Sequence, residues 1–456
     1  MRIIVLGAGI VGVTTAYFLR ERGHEVVVVE RRAEVAAETS VGNAGHVCPS
    51  YATPWAAPGM PAKSLKWSVQ SWLGIEAALR FTPRLDAHQW KWLKTFLAQC
   101  TPERYAVNKA RMGRLARYSH GQLKQIRERL DIRYEQTTGG NLQLFRTQEG
   151  LDNAGLSTKV LAEAGVPFEL LDADGCVAFD PGLHAARHEL KGGLLLPMDE
   201  TGNCPLFARA LAGWLQAHGV EFHLSTEVQA IEVAGGQVSG LRTPTGTLRA
   251  DAYVVACASA SVPMLKPLGL DLPIYPVKGY AITVPVADPK SAPRSGVMDE
   301  YYKVAITRMG NHIRAAGTAE IGSWDARVTP RDCATALKSL KNLYPQGADL
   351  AKVEYWAGLR PMTPDGAPLI GATRYANLWL NAGHGSNGWT TACGSSAIIA
   401  DKISGVASAI ESADLEPQRT FGAERCRSMI NDQRSNSAST LSPLLKLLTA
   451  QPPGVL

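Results

Sequence analysis

A Gly-x-Gly-x-x-Gly segment near the N-terminus constrains the fold of this chain more than any other feature. An apolar run at residues 3–6 predicts a buried parallel strand, and Gly7, Gly9 and Gly12 follow it directly. A helical pattern begins near Gly12, and a second apolar strand ends at Glu30. Glycines between a strand and a helix, with an acid at the end of the next strand, are typical of a dinucleotide-binding βαβ unit.

The three glycines and Glu30 have separate tasks in such a unit. Gly7 permits the tight turn, Gly9 lets the backbone approach a pyrophosphate, and Gly12 lets the helix pack closely on the strand. The phosphate charges face the helix N-terminus, where free N–H groups and the helix dipole favour an anion. Glu30 accepts hydrogen bonds from ribose hydroxyls, and its charge disfavours the 2′-phosphate of NADP. Glycines that serve packing alone are the alternative.

A second loop that suits a flat ligand follows soon after Glu30. Residues 38–45 are small, polar and spaced by glycine, so the backbone can run close to a ring system. The residues predicted to contact the cofactor in this part of the chain are Arg31, Thr39, Ser40, Asn43, Ala44 and Gly45.

A third glycine cluster, at residues 381–388, lies between a short strand and an apolar helix. It places another helix N-terminus where a ligand can meet it, although an unrelated tight turn is the alternative. One cofactor that touches all three segments has to be long, which favours FAD over NAD. The predicted contacts here are Gly383, His384, Gly385, Gly388 and Trp389.

Composition restricts the class of protein. The length of 456 residues indicates two or three domains. A composition of 45% hydrophobic and 19% charged residues indicates that these domains are globular. The net charge of +6 is spread evenly and gives no indication of nucleic-acid binding. Eight scattered cysteines without a CxxC pair indicate reduced thiols. No metal site is predicted, because His184 and His188 lack the glutamate of HExxH and enclose Arg187 instead.

Seven longer motifs lie along the chain: GAGIVG at 7–12, ETSVGNAG at 38–45, YATPWAAP at 51–58, PMDETGNC at 197–204, YPVKGY at 275–280, GLRPMTPDG at 358–366 and NLWLNAGHG at 377–385. Together they resemble the bacterial FAD-dependent D-amino-acid dehydrogenases, which belong to the D-amino-acid oxidase and glycine oxidase group. The resemblance runs from residue 1 to about residue 410. His46 and Cys48 depart from the pattern beside the flavin loop, so the substrate preference stays open.

The resemblance implies an α/β fold with a discontinuous, Rossmann-like FAD-binding domain and a second, α+β substrate domain built on an antiparallel sheet. Alternating polar and apolar residues at 263–355 agree with such a sheet. The resemblance also implies that the backbone of Val228 contacts the adenine. We expect the FAD-binding domain at residues 1–60, 150–262 and 356–410, the substrate domain at 61–149 and 263–355, and a C-terminal tail of unknown role at 411–456.

Arg360 is the residue predicted to bind the substrate. Its guanidinium can hold a carboxylate through two parallel hydrogen bonds, and the resemblance implies this role for the arginine of this motif. A structural ion pair with Asp365 is the alternative. Tyr302 and Tyr280 are two further candidates for contact with the same carboxylate, and the sequence does not choose between them. For His384, a structural role is the alternative to a place at the flavin edge.

The resemblance implies oxidative deamination of D-amino acids, D-alanine-like or D-proline-like, by hydride transfer to FAD. It implies a quinone or respiratory-chain acceptor and a cytoplasmic protein with peripheral membrane contact. The apolar segment 441–448 is a candidate anchor, whereas residues 3–19 divide into a strand and a helix rather than forming a span. The alternatives are an oxygen-using D-amino-acid or glycine oxidase, an NAD-dependent dehydrogenase and a non-catalytic dinucleotide-binding sensor.

Overall fold

The computed structural model describes residues 1–73 and 77–420, which form twenty strands and ten α-helices. The strands are β1 Arg2–Leu6, β2 Glu25–Val29, β3 His46–Val47, β4 Leu79–Phe81, β5 Asn141–Phe145, β6 Glu169–Leu171, β7 Gly192–Leu196, β8 Glu200–Thr201, β9 Glu221–His223, β10 Ala230–Ala234, β11 Gln237–Thr243, β12 Gly246–Leu248, β13 Ala252–Val255, β14 Tyr275–Pro285, β15 Gly296–Asp299, β16 Val304–Met309, β17 His312–Ile321, β18 Glu354–Met362, β19 Leu369–Ala372 and β20 Leu378–Ala382. The helices are α1 Ile10–Glu21, α2 Met60–Trp72, α3 Ala87–Ala98, α4 Pro102–Leu130, α5 Gln148–Glu163, α6 Ala173–Phe179, α7 Cys204–Ala217, α8 Ser261–Leu265, α9 Ala334–Leu343 and α10 Gly388–Ile403.

The first sheet has six strands in the order β19-β20-β13-β1-β2-β9. All neighbouring pairs are parallel except β19 with β20. Helices α1, α7 and α10 cover one face, and the small antiparallel sheet β10–β12 with α8 covers the other. Because both faces are covered, β1 and β2 are continuous apolar runs. The predicted Rossmann-like domain is therefore confirmed.

The second sheet has nine strands and is mainly antiparallel. Eight strands follow the order β18-β14-β17-β16-β15-β5-β7-β6, and β4 pairs with β17. The pairs β15 with β5 and β17 with β4 are the parallel ones. The antiparallel sheet expected from residues 263–355 is confirmed in β14 to β17.

The observed strand pairing differs at two places from the domain ranges expected from the sequence. Strands β6 and β7 lie in the second sheet, although residues 150–262 were expected beside the nucleotide-binding sheet. Strand β18 also joins the second sheet, although most of it falls in the range 356–410. The sequence of a short strand does not identify the strand with which it pairs, because pairing depends on segments that are distant in the chain. The domain boundaries themselves stay a prediction, and residues 421–456 of the tail lie outside the described residues.

The two faces of the second sheet are covered by different parts of the chain. Tyr280 of β14 points into an apolar core that also contains side chains of α9. Side chains alternate along a strand, so Val277 and Gly279 point to the opposite face. That face lies against loop 38–45, since a Cβ atom at Gly42 would stand 2.1 Å from the ring of Trp356 on β18. The candidate site is therefore bounded by this face and by the loops of the first sheet.

Within the described residues, no helix combines the length and the apolar character needed to cross a bilayer.

Candidate functional site

The N-terminal glycine turn has the geometry that its sequence predicts. Gly7 has φ +100°, and its N–H donates to the Val29 carbonyl oxygen at 2.8 Å. A Cβ atom at Gly12 would lie 1.8 Å from the Gly7 oxygen, so only glycine allows this approach of helix and strand. Gly9 is the N-cap of α1, whose first turn contains no acidic residue. The helix N-terminus is therefore suited to a phosphate.

Glu30 is fixed at the end of β2 by two backbone donors. Its Oε2 accepts from the Ala8 N–H and its Oε1 from the Arg32 N–H, both at 2.8 Å. A carboxylate offers about four lone-pair positions, so Glu30 can still accept from a ribose. Its own carbonyl oxygen accepts from the Thr226 N–H at 2.8 Å, which brings the segment containing Val228 to the same edge.

Arg31 is engaged by an acid of the next loop. Its Nη2 donates to Glu38 Oε1 at 2.6 Å and Oε2 at 2.8 Å, and Arg32 Nε donates to Glu38 Oε1 at 2.7 Å. The pairing ties the end of β2 to the start of loop 38–45. A contact of Arg31 with the cofactor stays a prediction.

The side chains of loop 38–45 shape its path. Ser40 Oγ accepts from the Ile10 N–H at 3.1 Å, so the loop crosses the beginning of α1. Asn43 Oδ1 accepts from the Gly45 N–H at 2.8 Å and closes a tight turn around Ala44. Gly45 has φ +84°, a conformation that favours glycine.

Two strands of the second sheet hold the same loop from the other side. Arg314 of β17 donates through Nη1 to the carbonyl oxygens of Val41 at 2.6 Å and Asn43 at 3.0 Å. Thr39 Oγ1 donates to the Leu359 oxygen of β18 at 3.3 Å. Sequence reasoning missed Arg314, because its partners Val41 and Asn43 are 273 and 271 residues away in the chain and no motif surrounds it.

The third glycine cluster has the expected backbone but a different role for its histidine. Gly383 and Gly385 have φ +84° and +56°, and Gly388 begins α10. His384 Nε2 lies 2.9 Å from Ser395 Oγ of α10, and burial lowers the pKa of His384 to about 3. This neutral, paired imidazole agrees with the structural alternative.

Trp389 points into the core rather than towards the loops. Its ring meets Tyr134 with a centroid distance of 5.8 Å and Phe207 with one of 6.5 Å. Its side chain therefore packs α10 against α7 and against the segment that follows α4, and only its backbone remains a predicted cofactor contact.

The three predicted cofactor segments converge in the folded chain. Ser40 meets α1, and the Cys48 N–H donates to Thr390 Oγ1 in the first turn of α10 at 3.2 Å. A β-bridge between Met362 and His384 joins the strand of Arg360 to the third cluster. A single elongated ligand can thus reach all three segments.

Arg360 lies opposite Val277 and so on the face turned away from α9. Its Nη1 donates to the Lys278 oxygen at 3.4 Å, and its guanidinium carbon stands 5.9 Å from the Trp55 ring centroid. Burial lowers the pKa of Arg360 to about 10. A Cβ atom at Gly279 would stand 2.2 Å from the guanidinium, so the glycine makes room for it.

The alternative ion pair between Arg360 and Asp365 is wrong. Asp365 accepts from Arg111 at 3.1 Å and from Arg419 at 3.0 Å. Within the described residues, no carboxylate forms a salt bridge with Arg360. A half-buried guanidinium that forms no salt bridge in this part of the chain is suited to a carboxylate ligand.

The structure does not bring either predicted tyrosine to Arg360. The Tyr280 hydroxyl donates to Glu320, and its ring lies in the core beneath α9. Tyr302 packs against the same core, with the Arg146 guanidinium 5.1 Å from its ring centroid. Both contribute to the core on the α9 side of the sheet: Tyr280 because alternation along β14 points it there, and Tyr302 from the turn between β15 and β16.

A buried polar cluster next to loop 38–45 was only partly indicated by the sequence. Asn141 Nδ2 donates to Cys48 Sγ at 3.2 Å, and Cys48 Sγ lies 3.9 Å from His46 Nδ1. The Ser50 N–H donates to Asp199 Oδ1 at 3.0 Å. Burial lowers the pKa of His46 to about 4, and burial followed by the charge of Asp199 raises that of Cys48. Asn141 and Asp199 were missed, because they come from distant segments.

Several polar atoms in this region are buried without a hydrogen-bond partner in the described protein. They are His46 Nε2, Ser50 Oγ, Asn141 Oδ1, Asp199 Oδ2, Thr201 Oγ1 and Thr307 Oγ1. Buried polar atoms in folded proteins normally have partners, so this region is suited to a polar ligand or to ordered water.

Replacing Asp199 by asparagine is expected to stabilise the protein more at pH 8 than at pH 5. Burial raises the pKa of Asp199 from 3.8 to about 6. The folded state then keeps a proton that the unfolded state has released, so stability is lost as the pH rises between these values. The uncharged amide should gain about 1–2 kcal/mol over the native residue between pH 5 and pH 8. Thermal melts at both pH values measure this, with the exposed Asp152→Asn as control; an equal increment at both would contradict it.

The geometry by itself defines a class of protein. A Rossmann-like sheet with a glycine turn suited to phosphate meets a second sheet whose Arg360 guanidinium has no salt bridge among residues 1–73 and 77–420, an arrangement that fits a dinucleotide-dependent oxidoreductase acting on a carboxylate.

The model of the FAD dependent oxidoreductase family matches residues 2–402, and the chain belongs to that family. A D-amino acid dehydrogenase of Cereibacter sphaeroides is 51% identical over 93% of this chain and 97% of its own length. One from Bradyrhizobium diazoefficiens is 50% identical over 89% of this chain and 95% of its own length. Glycine oxidase from Geobacillus kaustophilus shares the fold, with a TM-score of 0.69 and 23% identity over 92% of this chain and 100% of its own. These matches confirm the resemblance inferred from the sequence and FAD as the cofactor.

The residues present fit this cofactor. The glycine turn at the start of α1 is suited to a pyrophosphate, Glu30 keeps acceptor positions for a ribose hydroxyl, and loop 38–45 crosses from the first sheet to the second. The unpartnered polar atoms in and around β3 follow loop 38–45 in the chain and are suited to the polar groups of such a ligand.

Proposed function

We propose that this protein oxidatively deaminates D-amino acids to 2-oxo acids and ammonia. Loss of a hydride from the α-carbon and of a proton from the nitrogen gives an imino acid, which water hydrolyses. Bound FAD supplies the two-electron acceptor for this reaction. The relatives named D-amino acid dehydrogenase, about half identical to this chain over nearly their full length, support the substrate class.

The unpaired guanidinium of Arg360 is the observation that carries the proposal. It holds the substrate carboxylate through two hydrogen bonds and thereby fixes the orientation of the α-carbon. The Lys278 oxygen and the Trp55 ring position the guanidinium, and Gly279 leaves space over it. Burial strengthens the interaction, because the ion pair forms away from bulk water. Tyr280 and Tyr302 have no part in this arrangement.

For the cofactor, we retain the predicted contacts in the three converging segments. The phosphates lie at Gly7, Gly9 and Gly12, the ribose at Glu30, and the adenine beside Val228. Loop 38–45 and the backbone around Gly385 hold the remainder. The hydrogen bonds from Arg314 keep that loop in place.

We infer that the reduced cofactor is reoxidised by a quinone or another respiratory-chain acceptor at the cytoplasmic membrane face. The name of the relatives, dehydrogenase rather than oxidase, favours such an acceptor over oxygen. The candidate anchor at residues 441–448 lies outside the described residues and stays a prediction.

The test is anaerobic bleaching of the bound flavin by single amino acids. D-alanine or D-proline is expected to bleach the flavin absorbance, whereas the matching L-enantiomer should leave it unchanged. A quinone analogue should then restore the colour faster than air. Bleaching by L-enantiomers alone would contradict the substrate class, and rapid peroxide formation in air would identify an oxidase instead.

A further inference from the structure

The outward face of α2 is apolar, although it does not contribute to the core. Leu65, Val69 and Trp72 are 65%, 42% and 64% exposed, and their spacing places them along one stripe of the helix. The inner face is occupied by Ser68, which is buried, and by Trp67, which packs on the core below. An amphipathic helix normally turns such a stripe inwards, so this one is suited to an external apolar partner.

The stripe continues onto the beginning of α3. Trp72 Nε1 donates to the Phe81 oxygen at 3.3 Å, and the rings of Phe81 and Trp90 meet edge to face at 6.2 Å. Trp90 Nε1 donates to the Arg84 oxygen at 2.9 Å, and the neighbouring Leu85 is fully exposed. These contacts define one continuous tryptophan surface, formed by Leu65, Val69, Trp72, Leu73, Leu85 and Trp90.

The part of the chain that forms the tryptophan surface is rich in cations. Between residues 60 and 98 the sequence contains six Lys and Arg residues and two acids. Lys63, Lys66, Arg84 and Lys94 are exposed, as is Lys91, which pairs with Asp271. Apolar side chains and tryptophans among lysines match a bilayer with anionic headgroups, where the rings enter the interface and the cations meet the lipid charges.

The same surface borders the wall of the substrate site. Met60 and Trp67 of α2 pack on the core cluster that Trp55 also contacts. Trp55 in turn faces the guanidinium of Arg360. The part of the protein that would meet a bilayer is therefore continuous with the part that holds the substrate.

We propose that the tryptophan surface docks the protein on a bilayer containing anionic lipids, with α2 lying in the headgroup layer. The docking explains how electrons reach a lipid-soluble acceptor, and in that respect it rests on the proposed function. The contact itself depends only on the apolar stripe and its cations.

Flotation of the full-length holoenzyme with vesicles tests the proposal. Vesicles of phosphatidylcholine and phosphatidylglycerol should carry the protein upward, and vesicles of phosphatidylcholine alone should bind it much less. The double variant Leu65→Gln with Val69→Gln should bind about tenfold more weakly or less, since both side chains lose their apolar contact. Lys63→Gln with Lys66→Gln should weaken binding at low salt and have little effect at high salt.

Three controls establish whether the bilayer contact belongs to this surface. Val233→Gln with Val406→Gln alters exposed apolar residues elsewhere and should bind as the native protein does. Leu444→Gln with Leu447→Gln tests the candidate tail anchor and should also leave binding intact. Deamination with a water-soluble dye should be unchanged in the Leu65 and Val69 double variant, so a failure of docking is distinguishable from a failure of the proposed function.

Three results would overturn the proposal. One is unchanged flotation of the Leu65 and Val69 double variant. Another is a loss of flotation confined to the tail variant, which would place the anchor at residues 441–448. The third is a molecular mass in solution that is lower for the Leu65 and Val69 double variant than for the native protein. That result would make the surface an interface between two copies of the chain.

Discussion

Replacement of Arg360 by alanine is expected to raise the KM for the D-amino acid by a factor of about 30 to several thousand. The loss corresponds to about 2–5 kcal/mol, the usual effect of removing one partner from a desolvated charge pair. Arg360 pairs with no acid in the described structure, so its removal leaves no protein carboxylate uncompensated. Steady-state kinetics with a soluble dye as acceptor measure the change.

Two variants sharpen this expectation. Arg360→Lys keeps the charge but not the paired hydrogen bonds, so its KM should lie between those of the native and alanine proteins. Arg331 is an exposed arginine of the same part of the chain, and Arg331→Ala should leave KM unchanged. Native values of both KM and kcat in Arg360→Ala would remove this residue from the substrate site.

Replacement of Gly12 by alanine is expected to abolish the retention of FAD and to destabilise the fold. The added Cβ atom would stand 1.8 Å from the Gly7 oxygen and 2.8 Å from its carbonyl carbon. These are backbone atoms, so α1 has to move away from β1 and the phosphate-binding turn opens. We expect a loss of about 3 kcal/mol or more of stability. Flavin absorbance per mole of purified protein and the thermal midpoint measure the two effects.

A helical glycine without neighbours provides the matched control. Gly121 lies in α4, and a Cβ atom there would meet nothing within 4 Å. Gly121→Ala is therefore expected to keep its flavin and to gain up to about 1 kcal/mol, because alanine is the better helix former. A Gly12→Ala protein with full flavin content and a native melting temperature would contradict the packing role of Gly12.

The nucleotide-binding half of the fold was readable from the sequence because its signals are local. Gly7, Gly12 and Glu30 all lie in one strand–helix–strand unit, and the structure places them as their spacing predicts. Arg360 was also singled out by the sequence, since it belongs to a long motif, and its role in substrate binding stays a prediction. Asp365, however, was a plausible partner by sequence and binds two other arginines instead.

The second sheet limited what could be predicted. The sequence offered Tyr280 as a candidate for the carboxylate that Arg360 is predicted to bind, yet the two side chains point to opposite faces. The sequence singled out Cys48 but not its neighbours Asn141 and Asp199, because the cluster is assembled from three distant segments.

By itself, the sequence of this protein determined the glycine turn, the acid that follows it and the FAD cofactor, and it predicted an arginine for a carboxylate. Each of these depends on neighbours within one unit or motif. Only the tertiary structure decided which side chains share a face with Arg360, which residues hold loop 38–45 and which strands complete the second sheet. The physical reason is that strand register sets the direction of every side chain, and register is fixed by pairing between segments far apart in the chain.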